Sequence, residues 1–221
     1  MPIKIGEIEV GKFLDEWKHG FGWIAKPEEK MQRTSHALVE NGDVYLVDPL
    51  DAENLDQKID EYGDVEGIIL LFDRHERDSV NLAEKYGCPI FVSECFERSL
   101  DAEVKEISDN VPGTDWEIHQ VIDSMTGKEA ALYNTENKTL IVADALGTTS
   151  HMCGWGEKLG MNPLYRLRPP VKLLEFEPER IFCGHGEGIQ ENASEMMKET
   201  LENGRLKAPS AFFNAFIQLV K

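Results

Sequence analysis

Five consecutive apolar residues, Ile68-Ile-Leu-Leu-Phe72, constrain the fold more than any other feature of this sequence. The run is far too short to span a bilayer, and Gly67 and the polar cluster Asp73-Arg-His-Glu-Arg-Asp78 bound it, so it reads as a buried strand. Ser79 to Tyr86 follows with helical patterning, and Gly87 supplies a left-handed C-terminal cap. Cys88-Pro-Ile-Phe-Val92 then gives a second short strand. A β–loop–α–β unit of this kind places polar residues at the carboxyl ends of strands, where the sites of α/β folds usually lie.

The rest of the chain supports a mixed α/β protein. Lys4 to Phe13 alternates like a strand, and His36-Ala-Leu-Val-Glu40 and Val44-Tyr-Leu-Val-Asp48 flank Asn41-Gly42, a strong hairpin signal. Asp51 to Tyr62 looks helical. Trp116 to Ile122, Ala130 to Asn134, Thr139 to Val142 and Arg180 to Cys183 read as strands. Ile189 to Asn203 and Ser210 to Val220 read as helices, the latter with a core-facing stripe of Phe212, Phe213, Phe216, Ile217 and Val220. No linker, repeat or composition break divides residues 1–221, and a chain of this length buries roughly 70% of its surface, so one domain is expected.

Composition narrows the function. Forty-one Asp and Glu against 23 Lys and Arg give a net charge of −18, which sets the surface against phosphate backbones; no nucleic-acid partner is expected. No membrane segment and no secretory leader are recognisable, and Cys88, Cys95, Cys153 and Cys183 form no disulfide or CxxC pattern. A cytoplasmic location with reduced thiols is expected. The sequence carries no dinucleotide or flavin fingerprint, P-loop or serine nucleophile elbow.

The candidate chemistry lies at three strand ends. Asp73, His75 and Asp78 follow the first buried strand, Asp144 the strand ending at Val142, and His185 the strand ending at Cys183. A lone His or Asp at a strand end commonly caps a turn, but recurrence at successive strands suits an N/O site for Zn, Mn or Fe. His151, in Thr148-Thr-Ser-His-Met-Cys-Gly-Trp-Gly156, sits on a loop that could overhang such a site and contact substrate.

From about Ser35 to about Gln190 these segments resemble the metallo-β-lactamase-fold hydrolases, in the order that family uses. HALVENGDVYLVDP is similar to its opening hairpin, GIILLFDRHERDS to the segment that carries His-x-His-x-Asp-His, DSMTGKEAALYNTENKTLIVADAL to the segment from the third His to the bridging Asp, and RIFCGHGEGI to the terminal Gly-His-Gly. The resemblance implies an αββα four-layer sandwich. It also implies that Asp73 stands at the first His position, His75 at the second, Arg77 at the Asp position and Asp78 at the adjacent His. Met125 falls at the third His, Asp144 at the bridging Asp and His185 at the last His.

Two readings follow. In the first, a metal-dependent hydrolase of a small molecule holds one ion with some of Asp73, His75, Asp78, Asp144 and His185, and Asp73 or Asp78 completes the shell or acts as general base. A second ion is disfavoured, because thioether is a poor ligand for such dications and a guanidinium repels them. In the second, Arg77 pairs with Asp73, Asp78 or Asp144 in two-bond forks and the protein is a non-catalytic binding module. Oligomeric state is left open by the sequence.

Overall fold

The computed structural model describes residues 9–220. Eleven strands form two sheets. The seven-stranded sheet runs in sequence order through β1 (Lys12–Trp17), β2 (Gly20–Ile24), β3 (Thr34–Glu40), β4 (Asp43–Val47), β5 (Asp64–Leu70), β6 (Ile90–Ser93) and β7 (Val104–Ile107). Its first four strands pair antiparallel and the last four parallel. The four-stranded sheet holds β8 (Glu117–Ser124), β9 (Gly127–Asn134), β10 (Thr139–Val142) and β11 (Arg180–Cys183), with β10 and β11 parallel.

Strand alternation sorts the apolar residues into three layers. Ile69 and Leu71 join Ile141, Ala143 and Phe182 between the sheets. Ile68 and Leu70 face the other way, packing with Leu55 and Ile59 of α1 (Leu55–Ile59) and Leu82 of α2 (Ser79–Tyr86). Leu140 and Val142 turn outward from the second sheet against Met197 and Leu201 of α3 (Ala193–Glu202). Period-two side-chain alternation on strands covered on both faces thus yields helix, sheet, sheet, helix, the expected four-layer αββα sandwich.

Three expected elements differ in extent and one in orientation. The helix expected over Asp51 to Tyr62 is confined to Leu55–Ile59, because Asp51 spends its Oδ1 on the Ala52 N–H and Asn54 bonds Gly11. The helix expected from Ile189 starts at Ala193, since Ile189 pairs antiparallel with Ile181. The final helix, α4 (Gly204–Val220), begins before Ser210. Its Phe212, Phe213 and Phe216 are exposed, so the expected core-facing stripe is corrected: the small residues Gly204, Ala208 and Ala211 face the body of the protein. Most of the strand expected over Lys4 to Phe13 lies outside the described residues. Among those described, no helix is long and apolar enough to cross a membrane.

Candidate metal centre

The sheets meet at the carboxyl ends of β5, β10 and β11. Phe72 bridges Glu129, and Arg33 bridges His185. The Thr34 N–H donates to the Gly184 carbonyl at 2.8 Å, and the Ala130 N–H to Leu71 at 2.7 Å. Side chains from both sheets converge beside these seams.

His75 sits in the turn beyond β5, where its N–H donates to Phe72. Its Nδ1 lies 2.9 Å from Asp48 Oδ2, and Asp48, just past β4, also accepts the Leu71 N–H on Oδ1 at 2.9 Å. His185, just past β11, donates Nδ1–H to the Met31 carbonyl at 2.9 Å. A carbonyl only accepts, so the Nδ1 proton is committed; the Asp48 carboxylate does the same for His75. Both Nε2 lone pairs therefore face the same space, where Asp144 Oδ1 stands 3.3 Å from His75 Nε2 and 3.1 Å from His185 Nε2.

Asp144 is held from two sides. Asn162 Nδ2 donates to its Oδ2 at 2.9 Å. Behind it, the fully buried Glu129 gathers the turn: Oδ-bearing Asp144 and its neighbours Ala143 and Ala145 donate their three backbone N–H groups to the Glu129 carboxylate at 2.9–3.1 Å. Burial, and next the charge of Asp144, push Glu129 up to about 8 against the pull of the N–H donors. Burial also opposes ionisation of Asp144, but its contacts with His185 and His75 prevail and hold its carboxyl well below the usual range.

These residues fit a divalent ion. Ligand atoms about 2.0–2.1 Å from a tetrahedral ion stand about 3.3 Å apart, which matches both His–Asp separations. Asp144 Oδ1 is buried and has no well-aligned hydrogen-bond donor, so its lone pairs are free for coordination. The histidine tautomers are set by Asp48 and Met31 as they are in metal sites generally. His75, Asp144 and His185 form the metal-type cluster found among the described residues.

The other sequence-derived candidates lie elsewhere. Asp78 stands outside the His75–Asp144–His185 cluster, at the start of α2, where its Oδ2 accepts the Asp51 N–H at 2.9 Å. Asp73 turns toward the β8–β9 hairpin, beside Gly127 in a shallow groove that includes Arg74 and Lys128. Met125 is fully exposed at the tip of that hairpin and offers no ligand. His151 is brought alongside: its ring centroid is 5.3 Å from that of His185, perpendicular to it, and Nδ1 lies 3.0 Å from Thr149 Oγ1. Burial, with the His185 charge second, lowers the His151 pKa to about 4, so the ring is neutral at pH 7.

Arg77 overturns one expectation. It is half-buried, in a left-handed conformation at φ 46°, but forms no carboxylate fork. Nη1 donates to the carbonyls of Thr34 and Asp48 at 2.7 Å each, and Nη2 to Gly184 at 3.2 Å. The guanidinium thus ties together β3, the end of β4 and the end of β11, and the idea of a site held by Arg–carboxylate pairs is corrected accordingly. His36 lies behind it, buried, with Nε2 on the Cys183 carbonyl. His119 lies on β8 and pairs with Glu117. Sequence reasoning missed Asp48 as a tautomer-setting partner, Asn162, and Glu129; the one legible signal was a glutamate directly before the apolar run Ala130-Ala-Leu-Tyr133.

With this geometry in view, the comparisons fall into place. No protein-family model and no curated protein matches the chain in sequence. Among solved structures, the chain is similar to the DIM-1 metallo-β-lactamase, with TM-score 0.66 and 13% identity over 93% of this chain and 100% of that one. It is also similar to the FIM-1 metallo-β-lactamase from Pseudomonas aeruginosa in its mono-zinc form, with TM-score 0.68 and 11% identity over 92% and 98%. A metallo-β-lactamase from Hirschia baltica gives 0.64 and 14% over 89% and 98%. The chain has the metallo-β-lactamase fold, in a sequence far diverged from these enzymes.

Proposed function

We propose that this protein is a metal-dependent hydrolase of a small molecule, working with one divalent ion held by His75 Nε2, His185 Nε2 and Asp144 Oδ1. The observation that carries the reading is the approach of two tautomer-fixed imidazoles to one orphaned carboxylate oxygen, at 3.1 and 3.3 Å. A two-nitrogen, one-oxygen set suits zinc, with Mn and Fe as the next candidates, and three protein ligands leave a position open for substrate. The mono-zinc form of the FIM-1 relative is in keeping with a single ion. Arg77 argues against a second: a permanent charge fixed by three carbonyls repels any dication placed next to it.

When bound, the ion supplies Lewis acidity, polarising a carbonyl or phosphoryl bond and acidifying water. The chain's own residues do the rest. Asp48 and Met31 keep the imidazoles oriented, and Glu129 keeps the Asp144 turn rigid. His151, neutral and beside His185, is placed to accept a proton or to orient the substrate. Esters of the thioester, lactone or phosphoester type fit the reading; a polyanionic nucleic acid is disfavoured by the net charge of −18.

The test is metal content joined to thermal stability. Protein purified without chelator should carry close to one ion per chain, and Zn, Mn or Fe added to the stripped protein should raise its melting temperature by mass action. Absence of metal together with no stabilisation by any of the three ions overturns the reading. A panel of thioesters, lactones and phosphoesters assayed on the loaded protein then identifies the bond cleaved.

A further inference from the structure

Carboxylates are spread through most of this chain, and the two longest stretches without one stand out. Residues 158–174 and 203–221 carry seven Lys and Arg and no Asp or Glu, in a chain of 41 acidic residues. The fold brings these stretches together. Arg205 Nε donates to the Leu167 carbonyl at 3.1 Å, and a Cβ on Gly204 would meet Pro169 and Met161. The acid-free face is also apolar: Trp155 is 65% exposed, Leu206 76%, Phe213 53% and Phe216 63%, and Leu164 and Leu167 beside them are exposed as well.

The arrangement on α4 is that of a helix built to pair. Leu206, Pro209, Phe213 and Phe216 follow a 3-4-3 spacing along its outer face, the seam that helices use against one another. Trp155 packs edge-on against Phe213 at 6.2 Å, and together with Leu206 and Pro209 they line a depression of about 520 Å³. An aromatic side chain buries about 150–250 Å² when fully covered, so these residues leave on the order of 700 Å² to bury. A stable interface needs about 800 Å² from each partner.

We propose that this face is where a second copy of the chain docks, α4 against α4 across a two-fold axis. Charge selects the occupant. Two bodies of net charge −18 repel if they meet through most surfaces, whereas a two-fold axis through this face brings acid-free surfaces together and keeps the carboxylates apart. An anionic membrane is the competing occupant, and the cations are too few for it. Arg166 is buried against Glu157, and Lys207 donates to the Trp155 carbonyl. Lys158 is exposed too but shares a groove with Glu187 and Glu191, so among the described residues Arg168, Lys172 and Arg205 remain, fewer than the about four to eight cations that a lipid-binding basic cluster carries. The pairing would also brace the loop that carries His151, because Asn214 Nδ2 donates to the Cys153 carbonyl and Gln218 Nε2 to Ser150 Oγ, at 2.9 and 2.8 Å.

Sedimentation equilibrium of the full chain at tens of micromolar tests the proposal. The wild type should have twice the 25.0 kDa mass of one chain. The double variant Phe213→Asp, Phe216→Asp should have the mass of one, with an unchanged circular dichroism spectrum because both side chains already face solvent. Raising NaCl from 0.1 to 1 M should tighten the pair or leave it unchanged, since salt screens the net repulsion. A monomeric wild type overturns the proposal, as does a variant that stays dimeric. Dissociation at high salt points to an acidic flank as the partner surface and overturns the two-fold arrangement. A monomer that co-sediments with phosphatidylserine vesicles assigns the face to a membrane instead.

Discussion

The two sheets contribute to the centre in different ways. From the seven-stranded sheet, four polar residues follow β5 (Asp73, His75, Arg77 and Asp78), yet only His75 reaches the cluster. The others bond backbone or line a groove: Asp78 holds Asp51, Arg77 holds three carbonyls, and Asp73 faces the hairpin. From the four-stranded sheet, Asp144 and His185 both reach it, each within two residues of its strand end and each braced by a hydrogen bond to another segment. The difference teaches that a ligand at a strand end inherits the rigidity of the sheet. A ligand on a loop must be held there by its own partners, and where those partners change, the loop finds other work for its charges.

The largest effect expected from this contrast is loss of the ion itself. Asp144→Ala and His185→Ala should each weaken metal binding by more than the 10–100-fold expected for an outer partner, whereas His119→Ala leaves titration calorimetry unchanged. If all three behave alike, the strand-end ligands are not special. Arg77→Ala comes next, on stability: it removes the guanidinium that three carbonyls share and should cost about 3 kcal/mol in urea unfolding. A cost near zero would mean that water replaces the guanidinium and that the loop from the first sheet is not locked.

Outer supports should give smaller, graded losses. Asp48→Asn, behind His75, and Glu129→Gln, behind the Asp144 turn, should each weaken metal binding about 10–100-fold. Glu129→Gln belongs at the upper end, because its carboxamide can accept fewer of the three N–H bonds. The reverse order would make the first sheet the more dependent on its braces. Acid should act in the same direction as these variants. Although burial and Arg77 oppose it, the neighbouring carboxylates of Asp144 and Asp48 favour the protonated ring and raise the His75 pKa from its ordinary value. A histidine must be neutral to bind metal, so affinity should fall by about tenfold or more between pH 7.5 and 5.5, read by competition with a chromophoric chelator. Met125→Ala marks the floor: an exposed hairpin tip should change neither affinity nor stability beyond about 0.5 kcal/mol.

Much of this was legible in the sequence, and what was not has a physical reason. The β3–β4 hairpin, the strand-end positions of His75, Asp144 and His185, and the bounds of β10 and β11 follow from local patterning and need no tertiary information. Asp73 and Asp78 lie away from the cluster because spacing along a loop does not say which way its side chains turn; at Asp78 the positive φ of Arg77 turns the chain just before it. Arg77 itself was expected to seek carboxylates, the nearest opposite charges in sequence, whereas the carbonyls of Thr34, Asp48 and Gly184 take its guanidinium. The aromatic stripe of α4 has core-like periodicity, but periodicity cannot tell an inward face from one that something else covers.

The order of the strands has a further consequence, in time. Every neighbour in the first sheet is a neighbour in sequence, so it can grow by short loop closures, each of modest entropic cost. The seam between Arg33 and His185 joins residues from opposite ends of the chain, the kind of non-local contact that slows folding. His75 thus waits in place on an early sheet until β11 docks and delivers His185. Any ion held by His75, Asp144 and His185 would then be captured only as the fold completes: a nascent chain lacking its last forty residues has the residues of β1 to β10 but not His185.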